Sequence, residues 1–368
     1  MANPRFLSGS TGALAQVSVQ KSSNLAQLLN GILSHDPISV VLPDFTRPLP
    51  FERLLPLVEM AFPNMKHWIV GLGLHRELTV AEMEFLQRRT DRTIHQHNPD
   101  DCIAIDAIGG QSLGVSRHLF SSQWTLTTGV VEIHQYAGVS GGSKGVVVGC
   151  GSRHSIARLH AREMICHSNV QVGKIIDNPF RDEIERLGRL TPYTLALMWV
   201  PSLKEWWFGT PEQILLEANA CVSPWTEVDQ SYDGAILHVP TVKGVSLYQA
   251  SRAATYLALS PNPPLNLGAT IVIDAQMPEG LGAESGFVRS LNDLRYPWSE
   301  VLEMDLEGPG SQRMWMLARL TKRYRLCVRG VLNPEVFESV GIPVHYGEIP
   351  TKWLHMHNPF NEIPQCSK

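Results

Sequence analysis

The chain has 368 residues, 43% of them apolar and 18% charged, a balance that excludes disorder and leaves room for two domains of ordinary size. A net charge of −4 with no basic run excludes an electrostatic footprint for nucleic acid, and no stretch reaches the roughly 18 apolar residues that a bilayer span needs. Six scattered cysteines without a CxxC pair, and a start without a continuous apolar segment, point to a reducing cytoplasm.

The pattern along the chain is strand, loop, helix, repeated. Residues 38–43 read as a buried strand, followed by a Thr/Pro-rich loop and an apolar helix over 51–62. A second strand over 67–74 precedes Thr79-Val-Ala-Glu82, a capping box that opens a helix through about Arg89. Residues 102–108 form a short strand, and 127–134 a strand that runs into a glycine-rich segment. Strand 194–200 and a helix from Thr210 to Ala220 follow. A second block has strands at 234–240, 269–274 and 326–329 and helices at 247–259 and 312–323. Alternation of this kind predicts α/β architecture with mainly parallel sheets. The expected division is a cofactor-binding domain over 1–240 and a substrate or lid domain over 241–344. The tail 345–368 is expected to pack back on the first domain, with the active site in the cleft between the two.

In open α/β sheets, ligands collect outside the carboxyl ends of strands. Three polar loops occupy such places. Asp44-Phe-Thr46-Arg47-Pro48 offers a guanidinium fork suited to a carboxylate or phosphate, with Asp44 to orient it or a nearby histidine. His75-Arg76 places a candidate general base after a Gly-Leu-Gly-Leu strand end. The third loop carries Gly138, Gly141, Gly142, Gly145 and Gly149 around one lysine, Lys144, with His134 ten residues before it and His160 sixteen after. It has neither the P-loop spacing nor GxGxxG, so a covalent amine, a phosphate partner, proton carriers and metal ligands all remain open there. His154 and His167 compete with His160 as ligands. The pairs His95/His97 and His355/His357 have no third ligand close by in sequence and are read as surface residues. Trp199, Trp206, Trp207 and Trp315 are read as packing.

Taken together, Asp-x-Thr-Arg-Pro at 44–48, the Gly-rich strand end with His-Arg at 72–76, His134 with Gly-x-Ser-Gly-Gly-x-Lys ending at Lys144, and His160 resemble the nickel-dependent lactate racemase family. That resemblance implies a nickel-pincer nucleotide, pyridinium-3-thioamide-5-thiocarboxylic acid mononucleotide, made by dedicated cofactor-synthesis enzymes. It implies attachment at Lys144 with Gly141, Gly142 and Thr46 against the cofactor, and His160 completing the nickel coordination. It implies proton exchange by His75 and His134, with Arg47 on the substrate carboxylate and Asp44 orienting a neighbour. The implied activity is racemisation or epimerisation at C2 of a small-molecule 2-hydroxy acid, by hydride transfer to the cofactor and back. A hydride-transfer oxidoreductase with the same cofactor, and a nonenzymatic carrier or sensor, are the alternatives.

One position departs from the family pattern. Where lactate-using members have Tyr-Gln-x-x-Lys, this chain has Tyr248-Gln249-Ala-Ser-Arg252. All three side chains are candidate substrate contacts. Arginine in place of lysine, planar and able to grip bidentately, predicts an acid larger or more polar than lactate.

Overall fold

The computed structural model describes residues 18–32, 34–222, 224–283, 285–294, 298–308 and 310–367. Contacts divide the chain into two α/β units. The first comprises residues 1–132, 139–159 and 175–222, and the second 133–138, 160–174 and 223–368. The division falls at 222/223 rather than at 240. It also sends two short excursions of the first half, one holding His134 and the other His160, into the second unit. The tail stays in the second unit as well, because its strands pair there.

Strands in chain order are β1 Gln20–Ser22, β2 Ile38–Pro43, β3 Trp68–Gly71, β4 Ile94–Gln96, β5 Cys102–Ile108, β6 Gln111–Ser116, β7 Trp124–Val130, β8 Ile133–His134 and β9 Gly138–Val139. They continue as β10 Tyr193–Val200, β11 Glu205–Gly209, β12 Trp225–Val228, β13 Tyr232–His238, β14 Leu265–Asp274, β15 Arg325–Arg329, β16 Leu354–Met356 and β17 Ile363–Cys366.

The first unit is built on a seven-stranded sheet in the order β1-β11-β10-β7-β2-β3-β4. The strands β10, β7, β2, β3 and β4 run parallel, and β11 and β1 add an antiparallel edge. Val40, Val41 and Leu42 in β2 are at most 1% exposed, so the apolar run is a central strand covered on both faces. Helices Phe51–Ala61 and Val80–Gln87 make the crossovers to β3 and β4, and the second opens with the predicted Thr79–Glu82 capping box. From β2 the chain proceeds outward through β3 and β4, whereas β7 and β10 extend the sheet the other way. The order therefore reverses between β2 and β7, and the loops after Pro43 and Val130 leave from that switch point.

The segment 102–108 forms the expected strand but lies outside the seven-stranded sheet. It pairs antiparallel with β6 in a separate hairpin whose turn, Gly109-Gly110, has φ of 58° and 78°, the geometry of a two-residue type I′ connection.

In the second unit, four parallel strands lie in the order β15-β14-β13-β16, with β12 and β17 paired beside them. Its core gathers Leu237, Ile271 and Ile273 from one face of the sheet against Leu247, Ala254 and Leu257 of helix Leu247–Ala258. Trp315 is 5% exposed and packs in that core, its Nε1–H donating to the Met304 carbonyl at 3.1 Å. All six cysteines are free thiols. Among the described residues no helix is long and apolar enough to cross a membrane.

Candidate functional site

In the first unit the switch-point loops carry the expected residues. Asp44, 8% exposed, accepts hydrogen bonds from the Thr46 backbone N–H at 3.0 Å and the Thr46 hydroxyl at 2.5 Å through Oδ1. Its Oδ2 lies 2.5 Å from His75 Nδ1. Burial alone would raise the Asp44 pKa, but the His75 contact, the Thr46 hydroxyl and the Arg47 charge outweigh it and hold the carboxyl well below the usual carboxylate range. An ionised carboxylate only accepts, so Nδ1 of His75 donates and the lone pair of a neutral ring is left on Nε2. Thr46, expected against the cofactor, directs both its donors to Asp44. Arg47 lies 3.7 Å from Glu132, whose side chain is 17% exposed. Sequence reading missed that partner. The signal was available, because Glu132 lies two residues before His134 in the sequence segment read as a strand over 127–134.

The His75 loop is held to the lysine segment by backbone-to-backbone packing. Gly73 N–H donates to the Gly149 carbonyl at 2.8 Å, with Gly73 at φ 57°. A Cβ on Gly71 would stand 3.1 Å from the Gly149 carbonyl carbon. Close approach to the Gly149 backbone favours glycine at this position.

Lys144 is half-buried and opens the one-turn helix Lys144–Val147, after Gly141 and Gly142 at φ 93° and 62°. Ser143, just before it, donates to Glu185 at 2.6 Å, and Glu185 also holds the buried Arg181 at 3.0 Å. Arg181 in turn donates to the Val139 carbonyl. Helix Pro179–Gly188 thus braces the segment that presents the lysine.

The second unit holds both remaining histidines. Nδ1 of His134 accepts the backbone N–H groups of Tyr136 at 3.2 Å and Ala137 at 3.1 Å. An accepting Nδ1 places the proton of a neutral ring on Nε2, the opposite tautomer from His75. The ring of Tyr136, 2% exposed, stands edge-on to His134 and to His160, each 5.8 Å away between centroids. Of the three competing ligands only His160 is seen in this aromatic cluster. His154 and His167 are exposed, and His167 Nδ1 accepts the Asn169 N–H at 3.1 Å.

Helix Leu247–Ala258 carries the substrate candidates. Arg252 donates to Gln249 at 3.3 Å and to the Tyr256 hydroxyl at 3.2 Å, and Tyr256 donates to the Ile133 carbonyl at 3.1 Å. Arg252 is thereby linked to the residue preceding His134. Tyr248 accepts from Gln312 at 3.3 Å, and the guanidinium of Arg313, 1% exposed, lies 5.6 Å from its ring. Tyr136, Tyr256, Gln312 and Arg313 were not found from sequence, since each reads as an ordinary core or helix residue there.

The donor set suits the nickel-pincer nucleotide implied by resemblance. Lys144 has the amine that attachment would need, and His160, edge-on to Tyr136, has the imidazole that nickel coordination would need.

Comparisons with known proteins place these features in context. Residues 13–173 match the family described as lactate racemase N-terminal domain. The lactate racemase of Thermoanaerobacterium thermosaccharolyticum is 26% identical over 160 residues, 40% of this chain and 37% of that protein. The lactate racemase of Lactiplantibacillus plantarum is 24% identical over 181 residues, 46% of this chain and 42% of that protein. These sequence matches thus span about two fifths of each relative's length. In three dimensions, the lactate racemase apoprotein from T. thermosaccharolyticum superposes with a TM-score of 0.79 at 18% identity, covering 95% of both chains. A protein from Thermotoga maritima superposes with a TM-score of 0.69 at 14% identity, over 93% of this chain and 96% of that one.

Proposed function

We propose, from the match of residues 13–173 to the lactate racemase N-terminal domain and the fold shared with a lactate racemase apoprotein, that the chain belongs to the lactate racemase family and is a racemase or epimerase inverting C2 of a 2-hydroxy acid. The observation that carries the reading is the opposite setting of the two histidines. Asp44 holds His75 with Nε2 ready to accept a proton, and two backbone N–H groups hold a neutral His134 with its Nε2–H ready to donate a hydrogen bond.

In this reading His75 takes the hydroxyl proton of one enantiomer, and Asp44 stabilises the imidazolium that forms. His134 donates a hydrogen bond to the C2 oxygen as the carbon becomes planar. When C2 becomes tetrahedral again its oxygen takes a proton back from a histidine imidazolium, either His75 or, once it has released the N–H groups of Tyr136 and Ala137 and gained a proton on Nδ1, His134; for the opposite enantiomer the roles reverse. Arg47 binds the substrate carboxylate in exchange for its 3.7 Å contact with Glu132. Lys144 and His160 are the residues that would hold a nickel-pincer nucleotide, which when bound supplies reversible two-electron acceptance from C2. Arg252, with Tyr248 and Gln249 on the same helix, selects an acid larger or more polar than lactate.

The test is chiral analysis of protein made together with the cofactor-synthesis enzymes, offered each enantiomer of lactate, malate, phenyllactate and gluconate bearing deuterium at C2. Interconversion with the deuterium retained is the expected result, with lactate the poorest of the four. Washout of the label to solvent would replace the mechanism by proton abstraction. Accumulation of a 2-keto acid with no enantiomer exchange would favour the oxidoreductase alternative.

A further inference from the structure

We propose that the second unit contains a divalent transition-metal site made by His238, His355 and His357, with Asp274 orienting His238. The pair His355/His357 lacks a third histidine nearby in sequence, but the sheet supplies one. β13 and β16 are parallel neighbours, with Ile236 opposite His355 and Leu237 opposite Met356, so His357 falls beside His238. Met356 is 4% exposed and joins the core, while His355 and His357, two residues apart, turn together to the other face.

The three rings are already grouped. His238 and His357 stack with centroids 4.7 Å apart and 5° between planes, and His355 stands 5.8 Å from His238. One ligating nitrogen from each lies within 4.8 Å of the other two. Nitrogens around a tetrahedral zinc at about 2.0–2.1 Å stand roughly 3.4 Å apart, so binding would draw the three nitrogens together and turn the exposed His357 ring out of its parallel stack on His238.

Two independent observations point to a ligand at this position. The first is the orientation of His238. Asp274, its register partner at the end of β14, accepts from Nδ1 at 2.9 Å, while Nε2 is buried and has no hydrogen-bond partner among the described residues. A carboxylate holding one ring nitrogen so that the other can ligate is the arrangement that orients metal-binding histidines. The second is topology. From β13 the chain proceeds through β14 to β15 on one side, while β16 joins on the other, so the strand order reverses between β13 and β16. His238 and His357 stand at the carboxyl ends of those two strands, the place where open α/β sheets bind ligands.

Three neutral imidazoles select a borderline divalent cation, zinc above all, over calcium or magnesium, and leave a fourth position for water or an anion. The ion would also tie residues 354–357 to the central strand of the sheet. A second histidine group, His67, His95 and His118, is the weaker candidate. His67 Nε2 is already placed 3.0 Å from the His118 carbonyl and 3.1 Å from the Ser121 hydroxyl.

The test uses the full chain, stripped with chelator, loaded with zinc chloride and passed through gel filtration before metal analysis. One zinc per chain is expected, with a zinc-dependent rise in Tm. His355→Gln and His357→Gln, both at exposed positions, should each abolish retention. Asp274→Asn should weaken binding by about 10- to 100-fold. A His160→Ala background should retain the ion, which separates this site from the proposed nickel ligand. Absence of retained zinc, retention unchanged in both glutamine variants, or loss caused by His95→Gln/His118→Gln overturns the assignment.

Discussion

Nδ1 of His75 lies 2.5 Å from Asp44 Oδ2, although Asp44 opens one strand connection and His75 belongs to the next. The pair fixes both the tautomer and the direction of a histidine whose side chain is 61% exposed. Asp44→Asn should leave the fold intact but allow the ring to adopt the wrong tautomer. The expected loss in kcat is roughly 10²- to 10⁴-fold, the usual contribution of a positioned acid or base, with KM little changed. Asp44 also carries a linkage effect. Its folded pKa is depressed below the ordinary 3.8, so its stabilisation is full above that pH and is lost as pH falls below it. Urea midpoints of wild type and Asp44→Asn should therefore converge in strong acid. A parallel gap at all pH values would refute this account.

The cluster around Tyr136 separates two roles that activity alone would confuse. On the proposed function, His134→Gln should abolish enantiomer exchange while nickel loaded with the cofactor is retained, because His134 is assigned to the proton and not to the metal. His160→Ala should lose both. Tyr136→Phe keeps the ring that stands edge-on to His134 and His160 and should retain nickel, whereas Tyr136→Ala should lower nickel content by unseating the His160 ring. Metal analysis of the purified variants, beside the chiral assay, decides each case. Nickel loss in His134→Gln would reassign that residue as a ligand.

The strand-loop-helix core was legible because its signals are local. β2 coincides with the apolar run 38–43, and the capping box at Thr79 forms as its residue types require. The division of the chain was not legible. Glu132 and Ser140 close on one another, with Ser140 N–H donating to the Glu132 carbonyl at 2.7 Å and Glu132 N–H to the Ser140 hydroxyl at 3.0 Å. Residues 133–138 between them belong to the second unit, yet no breaker cluster or charge run marks both ends of that stretch in the sequence. Pairings distant in sequence were hidden for the same reason. His97 was read as a surface residue but is 4% exposed, with Nε2 2.9 Å from the Gly151 carbonyl. The pair His355/His357 finds a third histidine only through strand pairing, and His95 meets His67 and His118 only through tertiary packing.

Arg252 offers a test of substrate size. Its two terminal nitrogens are directed to Gln249 and Tyr256, so Arg252→Lys removes a planar brace as well as a broad cation. The kcat/KM ratio of gluconate or malate to lactate should fall by roughly 10- to 200-fold, the range that one lost polar or steric discrimination supplies. The assay is competition between paired acids. A ratio unchanged within error would move specificity to another residue, with Arg313 the next to examine.

His67 gives the fold its sharpest expected response to mild acid. The side chain is 7% exposed beneath the sheet edge, with Nε2 3.0 Å from the His118 carbonyl. Burial lowers its pKa from 6.5 to about 4, and the His95 and His118 rings add to that against the opposing backbone hydrogen bond. Between those two pH values the unfolded chain binds a proton that the folded chain refuses. Stability therefore rises with pH across this window and is lost as pH falls from 6.5 towards 4. His67→Gln keeps a donor towards the carbonyl but has no proton to gain. It should cost about 1–2 kcal/mol at neutral pH, through poorer packing of a buried polar group. It should also flatten the decline in urea midpoint between pH 7 and pH 4.5 relative to wild type. If the two proteins lose stability in parallel over that range, the acid sensitivity belongs to other groups and His67 does not titrate in the window its burial dictates.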